Sequence, residues 1–410
     1  MQRKQGYLIF TLGLVWLTAC RSAFALSGKP APQSPAEIMD NNTLSGFSIP
    51  SPTAVPTPTH TPTPQEPVLH TATVWQEIPQ VPILMYHRFD PHVTYNYTTS
   101  LSDFDGHLST LYEAGFSLVA LDDWLQGKIH LQEGKRPLII TIDDLFYADQ
   151  LSLDESGQPA NYSGVGRLWQ FSQEHPDFNF HTSLFYNFGD KGYANVNQNG
   201  VFLIQDDWRK SRAEAIAWGI KHGAIPMNHF YDHPFLNQLS PAEIQWQLEE
   251  NDRALREALA LVGKEKYADR LPNILALPYV VWPATEAGKQ ILYDYISPEG
   301  TPVAAIMEAN LASGARLLPA PFASNFDPWH VPRINAGWLA VDIILGLRDD
   351  IPIAGHCDLG LINPDPASAV KPIMGAILEH IEDGSCPAGI FIVEEFIFQA
   401  DETGIIQIQP

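Results

Sequence analysis

The chain has 410 residues, of which 45% are hydrophobic and 10 are tryptophan, enough apolar material for one large or two modest domains with a buried core. Its 24 Lys and Arg against 47 Asp and Glu give a formal net charge of -23, which excludes binding to nucleic acid by general electrostatic attraction. Only 3 cysteines are present, so a small disulfide scaffold, a four-cysteine zinc module and a ferredoxin-type cluster are excluded.

Residues 1–25 have the pattern of an export signal, because Arg3 and Lys4 precede an apolar run that is too short for a stable membrane anchor. Two processing sites compete. Residues 23–25 read Ala-Phe-Ala, a small-residue cleavage site, whereas Leu-Thr-Ala-Cys ending at Cys20 resembles a bacterial lipobox, which we favour. Both interpretations predict export, either as a lipoprotein on the outer face of the cell membrane or as a secreted protein. Only this segment or its lipid would touch the membrane.

Residues 26–73 are rich in Pro and Thr, a composition that favours extended chain and cannot bury a core. We predict a disordered tether here. The folded part is expected to begin near Val74 and to run to residue 410, with a C-terminal extension from about residue 350. Cys357 and Cys386 would meet an oxidising compartment after export, so they either form a disulfide or remain as separate buried thiols.

Beyond the tether, strand-like apolar runs alternate with helix-like segments, which predicts an α/β fold with a mostly parallel sheet. A helix with a capping box is indicated at Ser240, and two others at residues 104–111 and 211–218. The number and alternation of elements predict a (β/α) barrel, in which functional residues gather where strands end. Strands are predicted at residues 81–85, 117–120, 138–142, 182–186, 224–227, 274–277, 302–306, 351–354 and 390–398.

Two groups of polar residues follow such strands: Asp143 and Asp144 after residues 138–142, and His229 and His233 after residues 224–227. A hydrolytic zinc site needs imidazole and carboxylate ligands, an open position for water and a nearby base. These four residues could supply two imidazoles, one carboxylate ligand and one carboxylate base. Each pair alone is a weak signal, since acidic pairs are common in turns. Moreover, the two aspartates can share one site only if the chain turns between them.

The order of these motifs resembles that of the polysaccharide deacetylase family, carbohydrate esterases that remove acetyl groups from acetylated sugar polymers. Four segments carry the resemblance, which spans roughly residues 76–350. They are Val-Pro-Ile-Leu-Met-Tyr-His-Arg at 81–88, Thr-Ile-Asp-Asp at 141–144, His-Phe-Tyr-Asp-His at 229–233 and Leu-Pro-Tyr at 277–279. The resemblance implies a distorted (β/α) barrel of this type, and an exported hydrolase that removes acetyl groups, above all N-acetyl, from a cell-wall or extracellular polysaccharide.

The resemblance also implies roles for individual residues. It makes Asp144, His229 and His233 ligands of a divalent metal, with zinc as the first choice, and Asp143 the general base. The proton donor would be a late histidine, for which His356 is our choice. His330 and His380 are the alternatives for that role. The remaining residues that the resemblance assigns line the substrate groove: Tyr86, His87, Pro278, Tyr279 and Arg333.

Three departures from the family pattern leave other functions open. Leu145 stands where members usually have Gly, Phe230 stands where they have a small hydroxyl residue, and the Arg before the groove motif is absent. Arg333 either replaces that Arg or forms an ordinary ion pair. One alternative is therefore a catalytically degenerate, carbohydrate-binding lipoprotein on the same fold. Another is a glycoside hydrolase that would use Asp143 or Asp144 with a glutamate of the last predicted strand, Glu394 or Glu395.

Overall fold

The computed structural model describes residues 67–89, 97–189, 195–196, 202–203, 208–310, 317–362 and 370–408. The predicted export signal, with Cys20, and nearly all of the predicted tether lie outside these residues. No helix within the described ranges is both long enough and apolar enough to cross a membrane.

The strands of three or more residues are numbered here in chain order: β1 Val68–Trp75, β2 Ile83–Tyr86, β3 Phe116–Leu118, β4 Arg136–Leu145, β5 Thr182–Tyr186, β6 Ala224–Asn228, β7 Ile274–Ala276, β8 Ala305–Asn310, β9 Val331–Asn335, β10 Gly355–Ile362, β11 Gly389–Val393, β12 Phe396–Asp401 and β13 Gly404–Ile408. The α-helices are α1 Leu101–Glu113, α2 Leu121–Leu125, α3 Gly164–Glu174, α4 Trp208–His222, α5 Pro241–Leu261, α6 Glu286–Asp294, α7 Trp338–Gly346 and α8 Val370–Glu382.

Seven parallel strands close into a barrel. Their order around the barrel is β2, β4, β5, β6, β7, β8 and β9, and β9 pairs with β2 to complete the ring. The short strand β3 pairs with β4 outside the ring. Because every barrel strand runs the same way, the residues that follow these strands meet at one end of the barrel. The predicted (β/α) barrel is confirmed.

A second, antiparallel sheet has the strand order β10, β1, β11, β12, β13. It joins the first strand of the described chain to the predicted C-terminal extension. The folded part therefore begins by Val68 and not at Val74, because the exposed first half of β1 pairs with β10. Cys357 of β10 and Cys386 form a disulfide with a Cα–Cα distance of 5.6 Å. Of the two states that the sequence left open for these cysteines, the structure has the disulfide.

Apolar residues of the second sheet and of the barrel interior pack into one buried cluster. Trp75 of β1 and Ile392 of β11 belong to it together with Ile83, Phe185 and Met227 of the barrel strands. A different cluster fills the space between the barrel and the helices α1, α3 and α4. The barrel is thus packed on its outer face by helices and against the second sheet by apolar contacts.

Most predicted elements are present, and several boundaries differ. The capping box at Ser240 is confirmed, with the Ser240 side chain accepting from the Glu243 N–H. Helix α4 begins at Trp208, before the predicted start at Ser211. Residues 351–354 form no strand, although Ile351 and Ala354 are buried. The predicted strand at residues 390–398 is a hairpin of β11 and β12.

Candidate active site

A cavity of about 200 Å³ opens at the barrel end where the parallel strands finish. Asp143 and Asp144 reach it from β4, His229 and His233 follow β6, and Arg333 reaches it from β9. The structure thus brings these residues together from three separate segments of the chain. The other residues that line the cavity are Met85, His87, Tyr97, Leu277, Tyr279, Val280, Ala309 and Asn335.

A backbone turn at Asp144 allows both aspartates to face this cavity. The φ angle of Asp144 is 62°, in the left-handed region, and the regular pairing of β4 with β5 breaks between Ile142 and Leu145. An extended strand would send the two side chains to opposite faces. The turn that sharing one site requires is therefore present.

Backbone strain is concentrated at the same place. Phe230, His233, Tyr279 and Val280 also have φ angles between 51° and 61°. Such angles cost of the order of 1–3 kcal/mol for a non-glycine residue and persist only where the surrounding structure enforces them. Four of the five strained residues line the cavity, and the fifth lies between the two histidines. This clustering is typical of a functional site.

Asp144, His229 and His233 fit a metal ion. One ligand atom from each residue lies within 4.8 Å of the others. The Oδ1 atom of Asp144 is 3.2 Å from Nε2 of His233 and 3.8 Å from Nε2 of His229. Ligands about 2.1 Å from a tetrahedral zinc ion stand about 3.4 Å apart, so both separations suit such an ion. Two imidazoles and one carboxylate also form a common donor set of catalytic zinc sites.

A hydrogen bond to the backbone fixes the orientation of the His229 ring. Its Nδ1–H donates to the carbonyl of Ala276 at 2.9 Å, so the lone pair of Nε2 faces the two aspartates. Burial lowers the pKa of His229, against the opposing effect of Asp143 and Asp144. The ring is therefore held neutral and aimed, as a metal ligand must be.

Asp143 is held as a buried carboxylate. It is only 2% exposed, and both of its oxygens accept hydrogen bonds from the Arg333 guanidinium, at 2.6 and 2.7 Å. Burial acts to raise the pKa of Asp143, but the charge and hydrogen bonds of Arg333, together with His229, outweigh it and hold the pKa below its ordinary value. Arg333 also donates to Thr141 of β4 and to the carbonyl of Glu308 of β8, so its position is fixed from two other strands of the barrel. Asp143 can accept a proton within this cavity.

Side chains of β6 and α5 hold the histidine segment from behind. Asn228 accepts through Oδ1 from the Phe230 N–H at 2.9 Å and from Nδ2 of Asn251 at 2.9 Å. It donates through Nδ2 to Asp252 at 2.7 Å. Asn251 is fully buried and also donates to the carbonyl of Tyr186. The strained residue Phe230 is thus fixed by a buried amide network. Sequence reasoning missed this network because its members are ordinary polar residues, Asn228 on β6 and Asn251 and Asp252 on α5.

The groove residues suggested by the resemblance separate into two groups. His87, Tyr279 and Arg333 line the cavity. Tyr86 does not, since it is 1% exposed and its hydroxyl forms a hydrogen bond with His107 in the core. Pro278 is a buried residue of the turn that carries Tyr279.

The structure does not bring His356 to the cavity. This residue lies in β10 of the second sheet, where its Nε2 donates to the carbonyl of Leu131. The alternatives His330 and His380 are also not among the cavity-lining residues; the former contacts Glu308 and the latter lies on α8. His87 is the histidine, besides the two ligand candidates, that lines the cavity among the described residues.

The glutamates that the glycosidase interpretation pairs with Asp143 or Asp144 do not reach the cavity. Glu394 lies in the turn between β11 and β12, where its side chain contacts His70 and its carbonyl accepts from His130. Glu395 occupies the same turn. Neither is among the residues that line the cavity with Asp143.

Comparison with known proteins gives structural likenesses at low identity. No family model matches the chain, and no curated protein matches it. The solved structure of IcaB from Ammonifex degensii is 19% identical, with a TM-score of 0.43, over 67% of this chain and 98% of that one. The Streptococcus pyogenes deacetylase PplD in complex with acetate is 14% identical, with a TM-score of 0.42, over 66% and 98%. A de-N-acetylase from Aggregatibacter actinomycetemcomitans is 12% identical, with a TM-score of 0.38, over 64% and 98%.

Each of these TM-scores is below 0.5, so the activity of this chain has to be inferred from its own site.

Proposed function

We propose that the protein is a metal-dependent hydrolase that removes acetyl groups, principally N-acetyl groups, from a polysaccharide. The observation that carries this proposal is the juxtaposition of a three-ligand metal site, Asp144, His229 and His233, with a separate buried carboxylate, Asp143. The Oδ2 atom of Asp143 lies 3.9 Å from Nε2 of His229. Ligands and base are therefore within reach of one water molecule.

Zinc, the ion that best suits this donor set, would polarise the acetyl carbonyl and lower the pKa of water to about 7. The protein's own groups then divide the remaining work. Asp143, oriented by Arg333, accepts the proton of the attacking water. The backbone N–H of Tyr279, at the cavity wall, is the donor that we assign to the developing oxyanion. The bond between the acetyl carbon and the sugar nitrogen breaks, which gives acetate and a free amine.

His87 takes the place of His356 as the proton donor to that nitrogen. It lines the same cavity as Asp143. An acid and a base on one cavity complete the pair of proton transfers that amide hydrolysis requires. The tilted ring of Tyr97, with its centroid 5.0 Å from that of His87, packs against this histidine.

The packing of Leu145 and Phe230 does not favour the alternative of a binding protein without turnover. Both side chains are fully buried in apolar clusters and are not among the residues that line the cavity. The departures from the family pattern thus fill core positions behind the site, and the cavity keeps its ligands and base.

Acetate release from N-acetylglucosamine oligomers tests this function directly. The zinc-loaded protein, beginning at Pro67, should release acetate, and a His229→Ala variant should not. A His380→Ala variant, changed on α8, is the matched control and should retain the wild-type rate. Absence of release from β-1,4 and β-1,6 oligomers and from peptidoglycan, despite bound zinc, would support the binding-protein alternative.

We also propose that the protein works outside the cell, anchored by lipid at Cys20. The basis is the signal-like and lipobox-like sequence of residues 1–25. A Cys20→Ser variant should move from the membrane fraction to the soluble exported fraction. Retention in the membrane fraction would show that Cys20 is not the attachment point.

A further inference from the structure

Two partly exposed aromatic rings stack face to face at the rim of the cavity. Phe235 is 45% exposed and Tyr279 is 51% exposed. Their ring centroids are 4.1 Å apart, with an angle of 12° between the ring planes. The Tyr279 ring also meets the ring of the ligand candidate His233 at 4.4 Å. Tyr279 thus covers one face of the Phe235 ring, and the exposure of Phe235 lies on its other face and edges. This stacked pair, here called the aromatic platform, adjoins the proposed metal site.

Strained backbone keeps the platform in place. Tyr279 and Val280 both have left-handed φ angles, at 53° and 59°. A non-glycine residue in this region has a conformational cost, and exposure of two large rings to water has a further cost. The fold therefore maintains an unfavourable arrangement at this point, as ligand-binding sites commonly do.

The size of the cavity indicates what covers the platform. About 200 Å³ is less than the roughly 300–1,000 Å³ of pockets that enclose a small-molecule ligand. A polymer chain whose acetylated sugar enters the cavity must continue over the rim. Tyr279 both lines the cavity and supports the Phe235 ring, so the neighbouring sugar would meet the outer face of Phe235. The C–H face of a pyranose ring is apolar and suits an aromatic plane.

The charge of the molecule narrows the class of polymer. The net charge of -23 disfavours approach of a polyanion such as a uronic-acid polymer. A neutral or partly deacetylated amino-sugar polymer meets no such repulsion.

We propose that the outer face of the Phe235 ring, supported from behind by Tyr279, binds the apolar face of the sugar that neighbours the acetylated one, in a neutral or cationic amino-sugar polymer. This inference rests on the proposed function, because that function places the acetylated sugar in the cavity. It assigns Phe235, which stands two positions beyond His233, a role in substrate choice.

Binding to a variant without turnover tests the platform separately from catalysis. In zinc-loaded protein with Asp143→Asn, calorimetry should show binding of an N-acetylglucosamine pentamer whose sugars are joined by β-1,4 or by β-1,6 linkages. Adding Phe235→Ala should weaken this binding about three- to tenfold, in line with the usual contribution of one aromatic stacking contact. Phe235→Trp should restore it. The control Tyr162→Ala removes another ring that is 40% exposed and should leave the affinity unchanged.

Equal affinity of the Phe235→Ala and parent proteins for the pentamer would overturn the proposal. In the active protein, Phe235→Ala should raise KM for the pentamer relative to KM for a small acetyl ester. If the wild-type protein releases acetate but Phe235→Ala changes neither the affinity for the pentamer nor KM, the role of the platform is rejected and the proposed activity is kept. Loss of pentamer affinity in Phe235→Ala, without acetate release by the wild type, would reject the proposed activity alone.

Discussion

A carboxyl group as deeply buried as that of Asp143 would take up a proton near neutral pH if no cation lay beside it. Arg333 supplies that cation through two short hydrogen bonds, and its own position is fixed by Thr141. The residue pair therefore determines the pH range in which a base is available. Sequence reasoning left open whether Arg333 was an ordinary ion-paired residue, because the contact joins positions far apart in the chain.

Replacing Arg333 with Gln should shift the acidic limb of the pH–activity profile to higher pH. Arg333 lowers the pKa of Asp143, so its removal raises that pKa, and the carboxylate form is then lost at a higher pH as the solution is acidified. Stability should also fall, by about 3–5 kcal/mol at neutral pH, because a buried charge loses its partner. Activity measured from pH 5 to 9 and denaturant unfolding check both effects. Arg253→Gln, which removes an exposed cation on α5, should leave the profile in place.

Replacing His87 with Ala should lower kcat about 10²- to 10⁴-fold, the usual contribution of general acid catalysis. His356→Ala should leave kcat close to the wild-type value, since His356 contacts the carbonyl of Leu131 in the region of the second sheet. Acetate release under saturating substrate compares the two. A large loss in His356→Ala, with intact zinc binding and stability, would contradict the assignment of His87.

The alternation of side chains along a strand explains why one of two adjacent predicted groove residues reaches the site. Tyr86 ends β2 in the core, and its neighbour His87 lines the cavity. The sequence identified both as candidates but not the face to which each points. His356 was a reasonable candidate by type, yet the sheet that contains β10 could not be deduced from spacing.

At the scale of elements, the histidine segment depends on helix α5. Asn251 of this helix bonds both Asn228 and the backbone at Tyr186 and Phe188, so it joins the ends of β5 and β6. The N–H of the left-handed residue Phe230 donates to the Asn228 side chain that Asn251 holds. Support from α5 thus fixes the direction in which His229 leaves its strand.

Asn251→Ala should weaken zinc binding about 10- to 100-fold, the usual effect of losing an outer contact of a metal ligand. Stability should fall by about 1–3 kcal/mol, because buried polar atoms of the Asn228 side chain and of the backbone lose their partner. Zinc titration of the folded apoprotein gives the affinity without recourse to activity. Gln245→Ala, on the exposed surface of α5, should change neither value. Wild-type zinc affinity in Asn251→Ala would show that α5 does not position the ligands.

Elements were predictable where burial and periodicity agree. Strand β5 has the predicted bounds, because a short run of five consecutive buried residues is typical of a strand in the interior of a sheet. The prediction of a strand at residues 351–354 was wrong, because the buried residues Ile351 and Ala354 form hydrogen bonds outside any strand ladder. The Arg136 side chain donates to the Ile351 carbonyl, and the Ala354 N–H donates to the Lys135 carbonyl. Apolar composition therefore identifies burial but not the hydrogen-bond partner.

At the scale of the whole molecule, the N-terminal strand is an internal strand of the second sheet. β1 pairs with β10 on one side and β11 on the other, and Trp75 packs in the apolar cluster that continues into the barrel. The sequence predicted that the chain enters the fold near Val74, because the exposed residues that open β1 look like the preceding tether. These residues are part of a strand because they pair with β10, which is far away in the sequence and is not indicated by any local pattern.

A protein that begins at Val74 should be less stable than one that begins at Pro67. The shorter chain loses the pairing of residues 68–73 with β10, while its barrel residues are unchanged. Thermal melting of both zinc-loaded proteins should give a lower Tm for the shorter one. The same Tm for both would show that the first half of β1 adds nothing to the fold.

This arrangement of β1 also determines when folding can finish. Val74 lies opposite Gly355 and Phe391, so these contacts link the two ends of the folded chain. Contacts between residues so far apart in sequence form slowly, because a very long loop must close first. During synthesis the barrel strands emerge earlier, whereas β1 cannot pair on one side until β10 at residues 355–362 is available, nor on the other until β11 at residues 389–393 is available. We therefore expect completion of this sheet to follow formation of the barrel.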